Sequence, residues 1–106
     1  MAMPVSLLEW KSLPRNTLRG FATIRLGKSL RISDVAVHCS YGKRWAQLPS
    51  KAALDKNGAA QRDEKGKIKY IPVLLWLNRE AADEFSASVI EAIEREHPGA
   101  TNADAA

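Results

Sequence analysis

The sequence predicts an α+β fold in which a twisted antiparallel sheet of four to five strands precedes one C-terminal amphipathic helix. Three observations predict it: a clear alternation of apolar residues from Leu18 to Leu26, further β-rich runs bounded by glycine and proline, and a helical periodicity after Asn78. A length of 106 residues, with 45% hydrophobic and 26% charged residues, suits one domain with one core. We therefore expect a single domain over residues 1–99 and a disordered tail over residues 100–106.

The first three strands are separated by turn residues. Val5 to Leu13 is predicted as an edge strand, because Pro14 and the polar residues after it end the apolar pattern. Leu18 to Leu26 is the clearest strand, with apolar side chains on one face and mostly polar side chains on the other. The third strand starts at Leu30, and its alternation changes parity at Ser33-Asp34, which indicates a β-bulge.

The chain between the third strand and the helix is predicted to hold two strands and a long loop. Arg44 to Leu48 is a short fourth strand that ends at Pro49. Ser50 to Gly66 is polar and shows neither strand nor helix periodicity, so we expect a loop that is mobile until a ligand binds. Lys67 to Leu77 is nearly continuously apolar, which predicts a strand buried on both faces or at a subunit contact. No internal repeat is recognisable.

One helix of about 18 to 20 residues is predicted near the C-terminus. Asn78 is a suitable N-cap, and the acidic residues that follow it complement the positive end of the helix dipole. Apolar side chains recur at helical spacing at Ala82, Phe85, Val89 and Ile93. Pro98-Gly99 ends the pattern.

The net charge of +4 conceals a strong asymmetry along the chain. Residues 1–77 contain 14 Lys and Arg against 5 Asp and Glu, a net charge of +9, whereas residues 78–106 contain 2 against 7, a net charge of −5. A basic region attracts polyanions such as nucleic acid, and an acidic one repels them. Any nucleic-acid site should therefore lie in the first three-quarters of the chain, unless the cations merely solvate exposed strand faces.

Cations and aromatic rings are interleaved on the polar face of the second strand and in its neighbours, a pattern suited to backbone contacts and base stacking. The candidate nucleic-acid-binding residues in this pattern are Arg19, Phe21, Arg25, Arg31, Lys43, Arg44, Trp45, Lys51, Lys67 and Lys69. Tyr41 supplies a further ring in a turn. An alternative stays open, in which Phe21 and Trp45 form a second hydrophobic layer or a dimer contact.

The sequence lacks the groups that catalysis or metal binding requires. It contains no Gly-rich phosphate loop, no His-Glu-x-x-His pattern and no Gly-x-Ser-x-Gly pattern. His38 and Cys39 are adjacent in a predicted strand and point to opposite faces, so they cannot bind one metal together. Cys39 is the single cysteine, which excludes an intrachain disulfide. We therefore expect no enzyme activity, no cofactor, no metal and no small-molecule substrate.

Signals for membrane insertion or export are also missing from the sequence. The longest apolar run, Ile71 to Leu77, is interrupted by Pro72 and is far shorter than the roughly 20 residues of a membrane span. The N-terminus has neither the basic region nor the apolar region of a secretory signal. We therefore expect a cytoplasmic protein without membrane contact.

The order of several short motifs resembles a known family. These are Gly20-Phe21-Ala22, Leu30-x-Ile32, Gly42-x-x-Trp45 and Leu48-Pro49-Ser50-Lys51, the last followed by a polar loop. Their order resembles the SpoVG family (stage V sporulation protein G, septation regulator), including its phage-borne relatives. The resemblance covers about Leu18 to Glu96.

The resemblance implies a small α+β fold that dimerises through strands and binds DNA or RNA as a bacterial or phage regulator of transcription, without catalysis. By position, Pro49, Ser50 and Lys51 match the family's Pro-Ser-Lys segment, which adds Ser50 to the candidate residues. The C-terminal helix departs from the family, whose nucleic-acid contacts are associated with basic residues near it, because this helix is mostly acidic.

The functional hypothesis from the sequence is a homodimeric, nucleic-acid-binding regulatory protein that uses a basic, aromatic-bearing sheet face and its loops. Tyr70, Leu74 and Trp76 are the predicted dimer contact, because one helix and a small sheet cannot cover all the apolar surface near them. The alternative is a protein-interaction adaptor or inhibitor of mobile-element origin, in which the rings and the acidic helix contact a protein partner.

Overall fold

A computed structural model of the chain describes residues 4–102, and it has the predicted α+β architecture. A four-stranded antiparallel sheet follows the chain order: β1 (Val5–Arg15), β2 (Leu18–Leu26), β3 (Leu30–Ser40) and β4 (Lys43–Gln47). A second, two-stranded sheet and the helix complete the fold: β5 (Ser50–Ala52), β6 (Tyr70–Pro72) and α1 (Arg79–Glu96). In the described part of the chain, no helix is long and apolar enough to cross a membrane.

The core lies between one face of the four-stranded sheet and α1. Alternate residues of β2 and β3 point to this face, and the apolar stripe of the helix packs on them. The most deeply buried of these side chains are Ala22, Ile24, Val35, Val37, Phe85, Val89 and Ile93. Burying one such large apolar side chain stabilises the fold by about 1.5 to 3 kcal/mol. The helix side chains in this set confirm the predicted apolar stripe.

The β-bulge predicted at Ser33-Asp34 is confirmed. Ala22 pairs with Val35 and Ile24 pairs with Ile32, so β3 uses one more residue than β2 over this interval. Asp34 takes a positive φ of 59°, which Asp tolerates better than most residues. Because of the extra residue, Ile32 and Val35 both face the helix although three positions separate them.

The helix is capped as the sequence predicts, and the chain after it is packed further than expected. The Asn78 side-chain oxygen accepts the backbone N–H of Ala81 at 2.8 Å. After the helix, Thr101 is fully buried, and its hydroxyl accepts a hydrogen bond from Arg44 at 3.1 Å. The disordered tail was predicted from Ala100, which is wrong for Thr101; residues 103–106 lie outside the described residues.

One position on the free edge of β4 is occupied by a side chain of the helix. The Ser86 hydroxyl accepts the backbone N–H of Ala46 at 3.0 Å and donates to the carbonyl of the same residue at 3.2 Å. Both backbone groups would otherwise be open to pairing with another strand. β1, at the other end of the sheet order, is the second edge strand, as predicted.

Residues 50–72 form a folded arm, which corrects the prediction of an unstructured loop. Its stem is the β5–β6 pair. Beyond the stem, three backbone hydrogen bonds form a closed ring, from Ala53 N–H to the Lys69 carbonyl (2.9 Å), from Gln61 N–H to Ala53 (2.8 Å) and from Lys69 N–H to Gln61 (2.9 Å). The stem and two short hairpins, residues 54–60 and 62–68, therefore meet at a three-way junction.

Asp55 and Asp63 organise the two hairpin tips of the arm in the same way. Each carboxylate accepts the backbone N–H groups two and four residues later, at 2.8 and 3.0 Å in both tips. Each aspartate carbonyl also accepts, at 3.0 Å, the N–H of a glycine with positive φ, Gly58 or Gly66. The arm therefore contains a structural repeat, which corrects the absence of repeats inferred from the sequence.

The apolar run that ends at Leu77 is not a strand buried on both faces in the single chain. The stem ladder ends at Pro72, which has no backbone N–H to donate. After it, Val73, Leu75 and Leu77 are 58%, 71% and 95% exposed. The other predicted reason for this apolarity, a subunit contact, stays a prediction.

Candidate nucleic-acid interface

The four-stranded sheet has a second face, here called the outer face, which points away from α1. Strand alternation places here the residues that flank the buried core positions. The cations and rings of the outer face are Lys11, Phe21, Arg25, Arg31, Lys43 and Trp45. The four cations are exposed and the two rings are partly buried. Five of these six residues are among the sequence-predicted set, and Lys11 was missed.

Two arginines face each other across the outer face. Arg25 of β2 pairs directly with Arg31 of β3. Like charges opposite each other on one sheet face are unfavourable. None of the ion pairs within residues 4–102 includes either arginine. The pair is therefore a concentrated positive charge that a bound anion would neutralise.

Trp45 is held in place by His38 on the neighbouring strand. The two rings are stacked, with centroids 5.3 Å apart and planes 11° from parallel. Thr17 contacts the edge of the imidazole, where its hydroxyl oxygen lies 3.0 Å from Nδ1 of His38. Trp45 also lines a groove of about 770 Å³ between β4 and the start of α1, together with Tyr41 and Lys43. Two rings and a cation are thus grouped at this end of the outer face.

Arg19 does not belong to the exposed basic face, which corrects the sequence prediction. It is only 3% exposed. Its guanidinium donates to the backbone carbonyls of Asn16 and Thr17, so it stabilises the turn between β1 and β2. Asn16 has a positive φ of 57°, and this tight turn brings both carbonyls to the arginine. Strand alternation alone could not reveal such a local partner.

Arg44 also has a different role from the one predicted. Its neighbours Lys43 and Trp45 are on the outer face, so alternation turns Arg44 toward the helix. Its Nη1 atom lies 3.5 Å from a carboxylate oxygen of Glu94 and 3.1 Å from the Thr101 hydroxyl. Arg44 therefore joins β4 to the C-terminal end of α1.

The predicted residues Ser50, Lys51, Lys67 and Lys69 all belong to the arm. In the stem, Lys51 pairs with Ile71, and the next pair is Ala52 with Tyr70. Adjacent pairs point to opposite faces, so Lys51 and Tyr70 lie on opposite faces of the stem. The second hairpin presents further cations that the sequence analysis missed, Arg62 and Lys65. The repeated Asp-x-x-Gly spacing was the signal that could have placed them on one structured element.

A cleft of about 530 Å³ connects the arm to the outer face. Phe21 of the sheet and Tyr70 of the stem both line it, together with Gln47 and Ser50. Of the predicted nucleic-acid-binding residues, the cleft thus brings together Phe21 and Ser50. Lys51 lies on the stem face opposite Tyr70, and Lys67 and Lys69 lie along the second hairpin. In the described part of the chain, no three His, Cys, Asp or Glu side chains are placed to hold a metal ion.

His38 should make the stability of the domain depend on pH. Burial is the main cause that lowers the pKa of His38 below its ordinary value of 6.5; the Arg19 cation lowers it further, and a hydrogen bond with Gln47 partly opposes this. Below pH 6.5 the unfolded chain therefore binds a proton more readily than the folded one. The contribution of the neutral His38 imidazole to the free energy of unfolding is therefore complete above pH 6.5. It is lost as the pH falls from 6.5 through the lowered pKa of the folded state.

Thermal unfolding between about pH 7.5 and pH 5.5 measures this effect. His38→Gln should remove the part of the pH dependence that comes from this imidazole. His97→Gln, at the exposed C-cap, is the matched control and should retain it. Equal pH dependence in the wild type and in His38→Gln would contradict the prediction.

Comparison of the chain with protein-family models, curated proteins and solved structures finds no match. The resemblance to the SpoVG family therefore stays a hypothesis that depends on the short motifs alone.

Proposed function

We propose that this protein is a non-catalytic regulator that binds DNA or RNA through the outer face and the arm. One observation carries the proposal. The helix covers a single face of the sheet, and the opposite face holds both the paired cations Arg25 and Arg31 and, farther along the strands, the partly buried rings of Phe21 and Trp45. Cations that contact phosphates and rings that stack on bases are the two components of single-strand binding surfaces.

The distribution of charge supports binding on the outer face and the arm, and not on the helix. The arm contains six Lys and Arg against three Asp and Glu, and two of those three are Asp55 and Asp63, whose carboxylates are used inside the tips. Six of the seven acidic residues after Asn78 lie on α1, on the other side of the sheet, and the seventh lies outside the described residues. A polyanion would therefore be attracted to the outer face and the arm and repelled from the helix.

Salt titration tests the proposal. Each phosphate contact with a single strand adds about 0.7 to the magnitude of the slope of log affinity against log salt concentration. If the four outer-face cations each contact a phosphate, the slope should be about −3. Fluorescence anisotropy with labelled single- and double-stranded DNA and RNA measures it. Absence of binding to all four probes at low ionic strength would refute the proposal.

We also propose that the protein acts as a homodimer and that residues 73–77 form the contact. Of the sequence-predicted contact residues, Leu74 is 45% exposed, Trp76 packs against Phe85 at a centroid distance of 5.3 Å, and Tyr70 lines the cleft. Leu74 and its exposed neighbours Val73, Leu75 and Leu77 therefore supply the free apolar surface. A second copy related by a two-fold axis would bury this surface.

A charge in this segment should abolish the dimer without disturbing the core. Leu75→Glu replaces a side chain that is 71% exposed in the single chain, so we expect a folded monomer at tens of micromolar protein, where the wild type sediments as a dimer. Leu8→Glu, at a leucine 49% exposed on β1, is the control and should leave the dimer intact. A monomeric wild type in sedimentation analysis would disprove the contact.

The exposed apolar segment also favours a second candidate, a protein-interaction adaptor or inhibitor. In that case residues 73–77 would contact a different protein, and the outer-face cations would be dispensable. Reversal of those cations distinguishes the candidates, because it should abolish regulation only if nucleic acid is the partner.

A further inference from the structure

The cleft between the arm and the outer face combines two aromatic walls with polar groups. Phe21 and Ala36 are paired residues of β2 and β3, and Gln47 of β4 pairs with Ala36, so these three lie in one row across the sheet. Tyr70 of the stem contributes the second ring. A flat aromatic ligand could therefore stack in the cleft while its edge meets the sheet.

Asp34 is the unusual residue of this cleft. It is the exposed bulge residue of β3, and it is the one charged residue among the described residues that line the cleft. No ion pair among residues 4–102 uses it. A carboxylate at this point repels phosphate, so it weakens backbone binding and is suited instead to accept hydrogen bonds from a base. Gln47, which forms a hydrogen bond with His38, provides an amide at the same cleft.

The donor pattern of the bases selects one ligand. Guanine presents two adjacent donors, N1–H and the N2 amino group, and these match the two oxygens of a carboxylate. Adenine and cytosine each present one amino group beside a ring nitrogen that accepts hydrogen bonds. That nitrogen would face the second carboxylate oxygen, which is also an acceptor, so only one hydrogen bond could form. The guanine O6 atom lies next to N1 and can accept a hydrogen bond from the Gln47 amide.

We infer that this cleft is a pocket for a guanine base of single-stranded nucleic acid, with Phe21 and Tyr70 as stacking walls and Asp34 as the base-reading residue. The inference rests on the proposed function, because the outer-face cations must hold the backbone. Lys11 pairs with Phe21 across β1 and β2, so a cation for the flanking phosphate lies beside the stacking ring.

The test uses oligothymidylates of about ten nucleotides that carry one central guanine, hypoxanthine or adenine. Hypoxanthine lacks only the N2 amino group. We expect the wild-type protein to bind the guanine probe about tenfold more tightly than the other two, as a bidentate contact provides. Asp34→Asn should bind the three probes with about equal affinity. Asparagine tolerates the positive φ at this position, so the backbone should not change.

Glu9→Gln is the matched control, because it removes one negative charge from the same outer face. Both variants should bind plain oligothymidylate more tightly than the wild type does, since each removes a charge that repels phosphate. Glu9→Gln should keep the guanine preference. Equal binding of the three probes by the wild type, or a preference that survives in Asp34→Asn, would overturn the inference and leave the proposed function standing. Absence of binding to every oligonucleotide would overturn both.

Discussion

Gly20→Ala should destabilise the domain by about 3 kcal/mol or more, because the added methyl group has no room. A Cβ atom at Gly20 would lie 2.3 Å from the Lys11 carbonyl oxygen and 2.7 and 2.8 Å from two ring atoms of Trp10. The carbonyl belongs to the neighbouring strand, and Trp10 packs against the core, so relief requires β1 to move away from β2.

Gly27→Ala is the control for this substitution. A Cβ atom there meets nothing within 4 Å, but the residue has a positive φ of 67°, so only backbone strain of about 1 kcal/mol is expected. Urea unfolding of the two variants separates the steric effect from the conformational one. Equal stability of Gly20→Ala and the wild type would show that β1 does not approach β2 this closely.

The double reversal Arg25→Glu/Arg31→Glu should lower nucleic-acid affinity by about a hundredfold, because it removes two charge-assisted phosphate contacts. The magnitude of the salt slope for a single strand should fall by about 1.4, because two contacts of about 0.7 each are lost. Stability should change little, because the two paired positions carry like charges before and after the change. The single change Arg31→Glu should lower affinity less and raise stability slightly, since it creates an opposite-charge pair with Arg25.

A variant with the same change in net charge as Arg31→Glu controls for long-range electrostatics. Arg95 lies in the last turn of α1, on the other side of the sheet from the outer face, and forms an exposed ion pair with Glu91. Arg95→Glu should retain most of the affinity. An equal loss in Arg31→Glu and Arg95→Glu would mean that total charge governs binding and that the outer face has no special role.

The parts of the fold that were predictable from the sequence are those with a regular period. The alternation around Ala22 and Ile24, the parity change at Asp34 and the helical spacing that follows Asn78 each extend over enough residues to determine one element. The arm could not be predicted in this way. Its paired segments are one to three residues long, and aspartate carboxylates bonded to the backbone organise its tips.

The errors at the candidate site have the same physical origin. Alternation correctly placed Phe21, Arg25 and Trp45 on the face opposite the helix. It could not show that Arg19 turns back to the carbonyls of its own turn, because that partner lies outside the strand pattern. Arg44 was misplaced for another reason: alternation puts it opposite Lys43 and Trp45, but the sequence analysis grouped all three by charge and aromaticity. The cleft was also beyond prediction, because it requires the arm to return to the sheet.

The shape of the arm depends on few of its side chains. The ring of hydrogen bonds through Ala53, Gln61 and Lys69 uses backbone atoms alone, and each tip needs only its aspartate and its glycine to turn. The residues between them, such as Lys56 and Lys65, can therefore be exchanged without cost to the framework. Evolution, or a designer, could alter ligand preference by replacing one tip at a time while the sheet beneath stays unchanged.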